Sequence, residues 1–155
     1  MGTTDRDYQN KPGHLARRFQ QIAVAVFQSE MDAIGCDITP VQYAALAAIN
    51  TCPGLDQASL AKEIALDRTT ITGVVDRLQS KGLIERSISK NDRRARALAV
   101  TAEGRSTLEL VRPGVEAAQR LMTRGLSAQE ANELLRLLRK AVDGANDLSR
   151  APQRI

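Results

Sequence analysis

Two short helices, each introduced by an aspartate, impose the strongest constraint on how this chain folds. Asp56 precedes a helix-forming stretch at residues 57–64, and Asp67 precedes a second one at residues 68–81. An aspartate in this position accepts hydrogen bonds from the free N–H groups at a helix start. The connection has about three residues, and a short helix, a tight turn and a second capped helix are typical of a helix-turn-helix. The spacing therefore predicts this motif in the middle of the chain.

Apolar residues at helical spacing predict further helices on both sides of this motif. Two short runs that follow it, at residues 83–87 and 96–100, have an extended character, and the polar connector between them is typical of a β-hairpin loop. Pro113-Gly114 is expected to kink or interrupt the helix in which it lies. The remaining helices are predicted at residues 14–33, 40–51, 102–124 and 128–148.

The order of these elements predicts a mainly α fold with a small β-hairpin, in which terminal helices flank a winged helix-turn-helix. The apolar stripes of the terminal helices are longer than a module of this size needs to cover itself, and exposed stripes would favour aggregation. We therefore expect these helices to pack against each other and against a second copy of the chain. The predicted divisions are a flexible tail at 1–12, a single domain at 13–149 and a tail at 150–155, the domain comprising dimerisation helices at 13–35 and 102–149 and a winged helix-turn-helix at about 39–101.

The composition disfavours several classes of protein. The chain has 155 residues, with one His, two Cys and 3% aromatic residues. These few His and Cys residues form no zinc-binding pattern, and no nucleophile or nucleotide-binding motif is present. We therefore expect no enzyme, metal or cofactor. No apolar run reaches the ~18–20 residues of a membrane span, and residues 1–11 are too polar for a signal peptide, so a cytoplasmic protein without membrane contact is expected.

The distribution of charge indicates a polyanionic partner. The whole chain carries a net charge of +4. Residues 21–66 hold one basic and five acidic side chains, whereas residues 67–96 hold eight basic and four acidic ones. A local basic block of this kind favours binding to nucleic acid, although a solvated charged face gives the same pattern.

The start of the second helix of the motif carries side chains suited to reading DNA. Arg68 is followed by Thr69, Thr70 and Thr72, with aliphatic residues on the opposite face. Short hydroxyl side chains allow close approach to base edges in the major groove, and an arginine reaches guanine. A threonine-rich exposed helix start also occurs for structural reasons alone.

The hairpin connector supplies a second basic feature. Arg93, Arg94 and Arg96 lie close together on a loop that can project from the domain. A projecting arginine suits the narrow minor groove, where the negative potential is concentrated. Asp92 is expected to orient a neighbouring guanidinium through a forked ion pair.

Taken together, these segments resemble the MarR family of winged helix-turn-helix regulators, and the resemblance extends over residues 13–148. The residues that carry it are Leu60-Ala61, Val74-Val75-Asp76-Arg77-Leu78, Lys81-Gly82-Leu83-Ile84-Glu85-Arg86, Asn91-Asp92-Arg93-Arg94 and Leu98-Ala99-Val100-Thr101-Ala102-Glu103-Gly104. The resemblance implies a homodimer that binds a pseudo-palindromic operator in double-stranded DNA.

The resemblance also implies roles for individual residues. Arg77 and Arg86 match contacts to the DNA backbone, although Arg77 has an alternative role in an ion pair with Asp76 or Glu85. Gln57 and Ser59 match positions that touch phosphate. The implied recognition-helix residues are Arg68, Thr69, Thr70 and Thr72, and the implied wing residues are Asp92, Arg93 and Arg94.

The resemblance to this family also implies a repressor that a small aromatic acid releases from DNA, as for many of its members. By this resemblance an aromatic acid, or its thioester, is expected to pair with basic residues at the start of the first helix. The alternative is that these basic residues form an exposed surface that binds no ligand. A redox-sensing repressor that uses Cys36 and a protein-interaction adaptor without DNA are the alternatives. The expected effector residues are His14, Arg17 and Arg18, with Ile49, Cys52, Leu108 and Val111 as apolar walls.

Overall fold

The computed structural model of the chain describes residues 6–88 and 96–153. The expected mainly α fold with one hairpin is confirmed. The helices are α1 (Pro12–Ala33), α2 (Pro40–Thr51), α3 (Gln57–Glu63), α4 (Arg68–Ser80), α5 (Ala102–Met122) and α6 (Ala128–Gly144), the strands are β1 (Ile84–Ile88) and β2 (Arg96–Val100), and short 3-10 helices lie at Asp7–Asn10 and Asn146–Leu148.

Both predicted aspartate caps are present at the helix-turn-helix. The Asp56 carboxylate accepts a hydrogen bond from the Ser59 backbone N–H at 2.7 Å, and Asp67 accepts one from the Thr70 N–H at 2.8 Å. Between the two helices, Ala65 adopts a left-handed backbone conformation with φ of +54°. Few residues other than glycine adopt this conformation, and here it reverses the chain within the tight turn.

The core is built from aliphatic side chains that α2, α3, α4 and β2 contribute together. One face of α4 is buried, and it meets the buried side chains of the neighbouring elements in a single cluster. This packing fixes the orientation of α4, because rotation of the helix would expose apolar surface. The side chains with 0–1% exposure in this part of the core include Leu46, Ile49, Leu60, Ile71, Val75, Leu78 and Leu98.

The hairpin is antiparallel, with Ile84 opposite Val100 and Ile88 opposite Arg96. The second strand is also bound to the loop before α3, because the Leu98 N–H donates to the Leu55 carbonyl at 2.8 Å. The hairpin is the wing of the fold, and we call the end of it nearest α5 the wing base. The wing base is therefore attached to the helix-turn-helix by backbone hydrogen bonds.

The expected interruption of the helix at Pro113 is wrong, because α5 runs unbroken from Ala102 to Met122. Proline removes one backbone hydrogen bond from a helix interior. Buried residues on both sides of it, Val111 and Val115, hold the helix against α1. A Cβ atom at Gly114 would lie 3.1 Å from the Met31 side chain, so glycine permits the close approach of the two helices.

Parts of the segments predicted as tails form local structure in the residues that the structure describes. The 3-10 helix at Asp7–Asn10 and an ion pair between Asp7 and Lys11 lead into α1, which begins at Pro12. At the other end, Gln153 is hydrogen-bonded to Asn146. These contacts join residues four and seven positions apart, and the polar composition alone does not reveal them.

None of the helices within residues 6–88 and 96–153 is long and apolar enough to cross a membrane.

Two glycine-to-alanine substitutions should change stability in opposite directions. A Cβ atom at Gly104 would overlap the Leu83 carbonyl oxygen and lie 2.6 Å from the Val100 side chain, whereas a Cβ atom at Gly73 meets nothing within 4 Å. We expect Gly104→Ala to lower the free energy of unfolding by about 1–3 kcal/mol through overpacking. Gly73→Ala should raise it by about 0.5–1 kcal/mol, because alanine favours the helix.

Urea unfolding followed by circular dichroism measures both changes. Equal stability of the two variants would contradict the close packing of α5 against Leu83 and against Val100 of β2.

Candidate nucleic-acid interface

The α4 helix presents a polar face to solvent and an apolar face to the core. Ile71, Val75 and Leu78 are buried, whereas Arg68 and Thr69 at its start are exposed. Within the described part of the chain, neither of these exposed side chains forms a hydrogen bond or an ion pair that would occupy it. They are therefore available to an external partner.

The Thr70 hydroxyl is already engaged within the helix start. It donates to the Asp67 carboxylate at 2.8 Å, in addition to the backbone hydrogen bond of the cap. These hydrogen bonds from Thr70 hold the pKa of Asp67 below its ordinary value, so Asp67 stays ionised at neutral pH. The Thr70 oxygen keeps a lone pair that can accept a hydrogen bond, but its proton is not free for a base edge.

Thr72 joins α3 to α4. Its oxygen accepts a hydrogen bond from Gln57 Nε2 at 2.9 Å and its hydroxyl donates to the Arg68 carbonyl at 2.8 Å. Gln57 in turn accepts a longer hydrogen bond from Arg86, at 3.4 Å. The two residues thus connect the helices of the motif, a role that the sequence analysis did not identify.

Arg86 and Arg77, both expected at the DNA backbone, lie in different environments. The Arg86 guanidinium donates to Asp76 at 2.8 Å, and its side chain is 26% exposed. It therefore connects β1 to α4. Asp76, one of the two expected alternative partners of Arg77, is paired with Arg86. Arg77 is exposed and has no ion pair with Asp76, with Glu85 or with any other residue among 6–88 and 96–153.

Two further groups of expected DNA contacts remain. Ser59 is half-buried at the start of α3 and uses its backbone N–H in the Asp56 cap. The wing residues Asp92, Arg93 and Arg94 lie outside the described residues.

The residues expected as apolar walls of an effector site lie in two different environments. Ile49, Leu108 and Val111 are at most 9% exposed and belong to the hydrophobic core. Helical periodicity identifies an inward face but does not distinguish a core from the wall of a cavity. Cys52 is exposed at the end of α2.

One of the three basic effector candidates lies in a cleft. Arg18 lines an open cleft of about 470 Å³ between α1 and α6. Next to it on α1, Arg17 lies 3.3 Å from His14 Nδ1 and 3.4 Å from the Gln21 side-chain oxygen. The apolar residues of this cleft are Pro12, Leu15, Ala16, Phe19, Ile22, Leu134 and Leu138.

Cys36, the candidate redox residue, is half-buried and shares a small cavity with Lys81. The Lys81 ammonium donates to Asp37 Oδ1 at 2.9 Å and to Gln42 Oε1 at 3.1 Å. Lys81 holds the pKa of Asp37 below its ordinary value. The positive charge of Lys81 is thus paired with the Asp37 carboxylate.

No cluster of three or more His, Cys, Asp or Glu residues suited to a metal ion occurs where the structure describes the chain.

Comparison with known proteins identifies the family. The MarR family model matches residues 38–95. The transcriptional repressor NicR of Pseudomonas putida is 32% identical over 145 residues, which cover 92% of this chain and 89% of NicR.

The chain belongs to the MarR family.

Solved structures agree with this assignment. BpsR of Bordetella bronchiseptica, described with a mechanism for regulation of its DNA binding by 6-hydroxynicotinic acid, has a TM-score of 0.82 at 30% identity, over 88% of this chain and 96% of its own. A mutant of Escherichia coli MarR in complex with operator DNA has a TM-score of 0.77 at 27% identity, over 84% of this chain and 92% of its own. The chain is thus a transcriptional regulator of the MarR type, a family of DNA-binding regulators and not of enzymes.

Two isosteric threonine substitutions test the role of Thr72 in joining the helices of this MarR-family regulator. Thr72→Val removes the hydrogen bonds with Gln57 and the Arg68 carbonyl, and we expect it to lower the free energy of unfolding by about 0.5–1.5 kcal/mol. Thr69→Val removes a hydroxyl that has no partner among residues 6–88 and 96–153, and should change the free energy of unfolding by less than about 0.5 kcal/mol. Urea unfolding of both variants measures the difference, and equal losses would contradict this role.

Proposed function

We propose that this protein is a repressor that binds a pseudo-palindromic operator as a homodimer and is released by a small aromatic acid or its thioester. The observation that carries the proposal is the exposed start of α4, where Arg68 and Thr69 have no partner among residues 6–88 and 96–153 and the opposite face of the helix is anchored in the core. A fixed helix with free polar side chains suits insertion into the major groove.

The terminal helices support the homodimer. No residue of α6 is buried, although the helix is strongly amphipathic. Leu135 and Val142 on α6 are 57% and 59% exposed, Val24 on α1 is 42% exposed, and none of the three lines the cleft between α1 and α6. Apolar stripes of this size require a covering surface, and a second copy of the same helices supplies one by two-fold symmetry.

Two-fold symmetry also determines how the dimer meets DNA. Two α4 helices related by the axis reach successive major grooves when their centres lie about 34–36 Å apart. The same symmetry makes the two half-sites inverted repeats. The proposed operator is therefore pseudo-palindromic.

The cleft between α1 and α6 suits an aromatic acid. Its walls are apolar apart from Arg18, and its volume of about 470 Å³ exceeds that of a single aromatic ring. A guanidinium pairs with a carboxylate through two parallel hydrogen bonds, while the ring packs against leucine and phenylalanine side chains. The name of NicR as a repressor and the regulation of BpsR by 6-hydroxynicotinic acid support the same class of function and ligand.

Release from DNA follows from the position of this cleft between helices of the proposed dimer region. A ligand that fits only one separation of the two subunits shifts the population toward that separation. Tenfold weaker operator binding requires about 1.4 kcal/mol of coupling between the two sites. Such coupling is well within the binding energy of a small acid.

Substitutions at the exposed face of α4 test DNA binding. We expect Thr69→Ala to weaken binding to DNA from upstream of the protein's own coding sequence more than binding to random DNA, because base contacts carry sequence information. Arg77→Ala should weaken both equally and reduce the salt dependence by about 0.9 units of slope, as expected for one lost phosphate contact. Fluorescence anisotropy across a salt series measures both effects.

Three results would contradict this proposal. If Thr69→Ala and Arg77→Ala weakened binding to both DNAs equally, the roles assigned to these two residues would be wrong. One chain per DNA site in light scattering would exclude the dimer. Failure to bind either DNA would favour the protein-interaction adaptor.

Calorimetry with benzoates, hydroxycinnamates, 6-hydroxynicotinic acid and aromatic thioesters tests the effector. We expect binding that Arg18→Gln weakens by about tenfold, since one charged hydrogen-bond partner is lost. Arg124→Gln, which removes an exposed charge between α5 and α6, should leave the affinity unchanged. No binding by any of these acids, together with peroxide-sensitive DNA release that Cys36→Ser abolishes, would replace this effector with the redox mechanism.

A further inference from the structure

The segment at residues 149–153 folds onto the helix-turn-helix. Asn146 Nδ2 donates to the Gln153 carbonyl at 2.7 Å, and Asn146 Oδ1 accepts from the Gln153 N–H at 2.9 Å. Gln153 Nε2 then donates to the Glu63 carbonyl, the last residue of α3, at 2.7 Å. These three hydrogen bonds fix the segment that follows α6 against the end of α3.

The fixed segment forms one wall of an open cleft of about 720 Å³. Arg150, Ala151 and Pro152 lie on one side of the cleft, and the facing surfaces of α3 and α4 form the other. Three residues of the proposed DNA interface, Gln57, Arg68 and Thr72, line the same cleft. The cleft is thus continuous with the surface that we assign to DNA.

The charges of the cleft favour an anion. Lys62, Arg68 and Arg150 line it together with one carboxylate, that of Asp67. Asp67 already accepts two hydrogen bonds from Thr70. Within residues 6–88 and 96–153, none of the three cations has an ion-pair partner. Cations that lie close together without acidic partners attract a phosphate group.

We propose that Arg150 binds a phosphate of the DNA backbone, so that the segment after α6 is a third part of the DNA interface, beside the helix-turn-helix and the wing. The inference rests on the proposed DNA binding of α4. A guanidinium donates two parallel hydrogen bonds to phosphate oxygens, and the continuity of the cleft with Arg68 and Thr72 places it beside a duplex that α4 contacts. Because the segment continues α6, movement of that helix also moves Arg150.

A charge substitution with a matched control tests this contact in the full-length protein. We expect Arg150→Gln to weaken binding to a short duplex of random sequence by about fivefold, the upper range for an exposed charge pair. The salt dependence should fall by about 0.9 units of slope, as for one phosphate contact. Arg124→Gln removes one charge at the far end of α5, a 21-residue helix about 30 Å long, and should leave both quantities unchanged.

Removing the anchor of the segment tests its geometry. Gln153→Ala deletes the hydrogen bond to Glu63 and should weaken DNA binding less than Arg150→Gln does. The double variant should bind no more weakly than Arg150→Gln alone, because both changes remove the same contact. Additive losses would show that Arg150 acts independently of the anchored position, which would overturn the proposal.

Two further outcomes would also overturn it. Wild-type affinity and salt slope in Arg150→Gln would show that no phosphate is bound there, and tighter binding would show that the segment obstructs DNA. Calorimetry with inorganic phosphate distinguishes a site for free phosphate alone. In that case phosphate would bind the wild type, and Arg150→Gln would keep wild-type affinity for DNA. If α4 itself does not bind DNA, Arg77→Ala will also leave DNA binding unchanged. If only the contact of Arg150 is absent, Arg77→Ala will still weaken DNA binding.

Discussion

The burial of one face of α4 is the constraint on which the candidate interface depends. Ile71, Val75 and Leu78 are at most 1% exposed, and each contributes about 1.5–3 kcal/mol by leaving water. This anchoring fixes the rotation of the helix, so that the opposite face, with Arg68 and Thr69, must point outward. A polar helix without such an anchor would not hold its side chains in the fixed positions that base recognition needs.

Hydrogen bonds between polar side chains then set α4 relative to its neighbours. Gln57 and Thr72 join α3 to α4, and Arg86 joins β1 to α4 through Asp76. Each of these contacts is exposed or half-buried and contributes modestly to stability. Their consequence is geometric, because they keep the two helices and the wing base in one arrangement.

The long helix α5 connects this unit to the terminal helices, and two glycines determine its path. Gly104 brings its first turn against Leu83 and Val100 at the base of the hairpin, and Gly114 brings its middle against α1. A rigid helix held at both places transmits a displacement at α1 to the wing base. This connection gives the proposed aromatic ligand a physical route to the proposed DNA-binding surface, and the proposed contact of Arg150 would give it a second one.

Local chemistry explains which features the sequence predicted. The caps at Asp56 and Asp67, the bounds of α4 and the two strands depend on residues only a few positions apart, and all are present in the structure. Contacts between distant positions escaped prediction: Thr72 is bound to Gln57, Arg86 to Asp76, and Gln153 to the Glu63 carbonyl. For the same reason the effector role of Ile49, Leu108 and Val111 stays a prediction, because periodicity shows that a side chain points inward but not what lies opposite it.

The sequence by itself determined the elements, their order and the side chains that α4 offers to a partner, because caps, turns and apolar spacing act within one or two helical turns. The tertiary structure decided which of those side chains are free. Packing let α5 continue through Pro113, paired Arg86 while leaving Arg77 exposed, and placed Arg150 in the same cleft as Arg68, about 80 residues away in sequence. These outcomes depend on the meeting of distant surfaces, where buried area and long-range hydrogen bonds outweigh local preference.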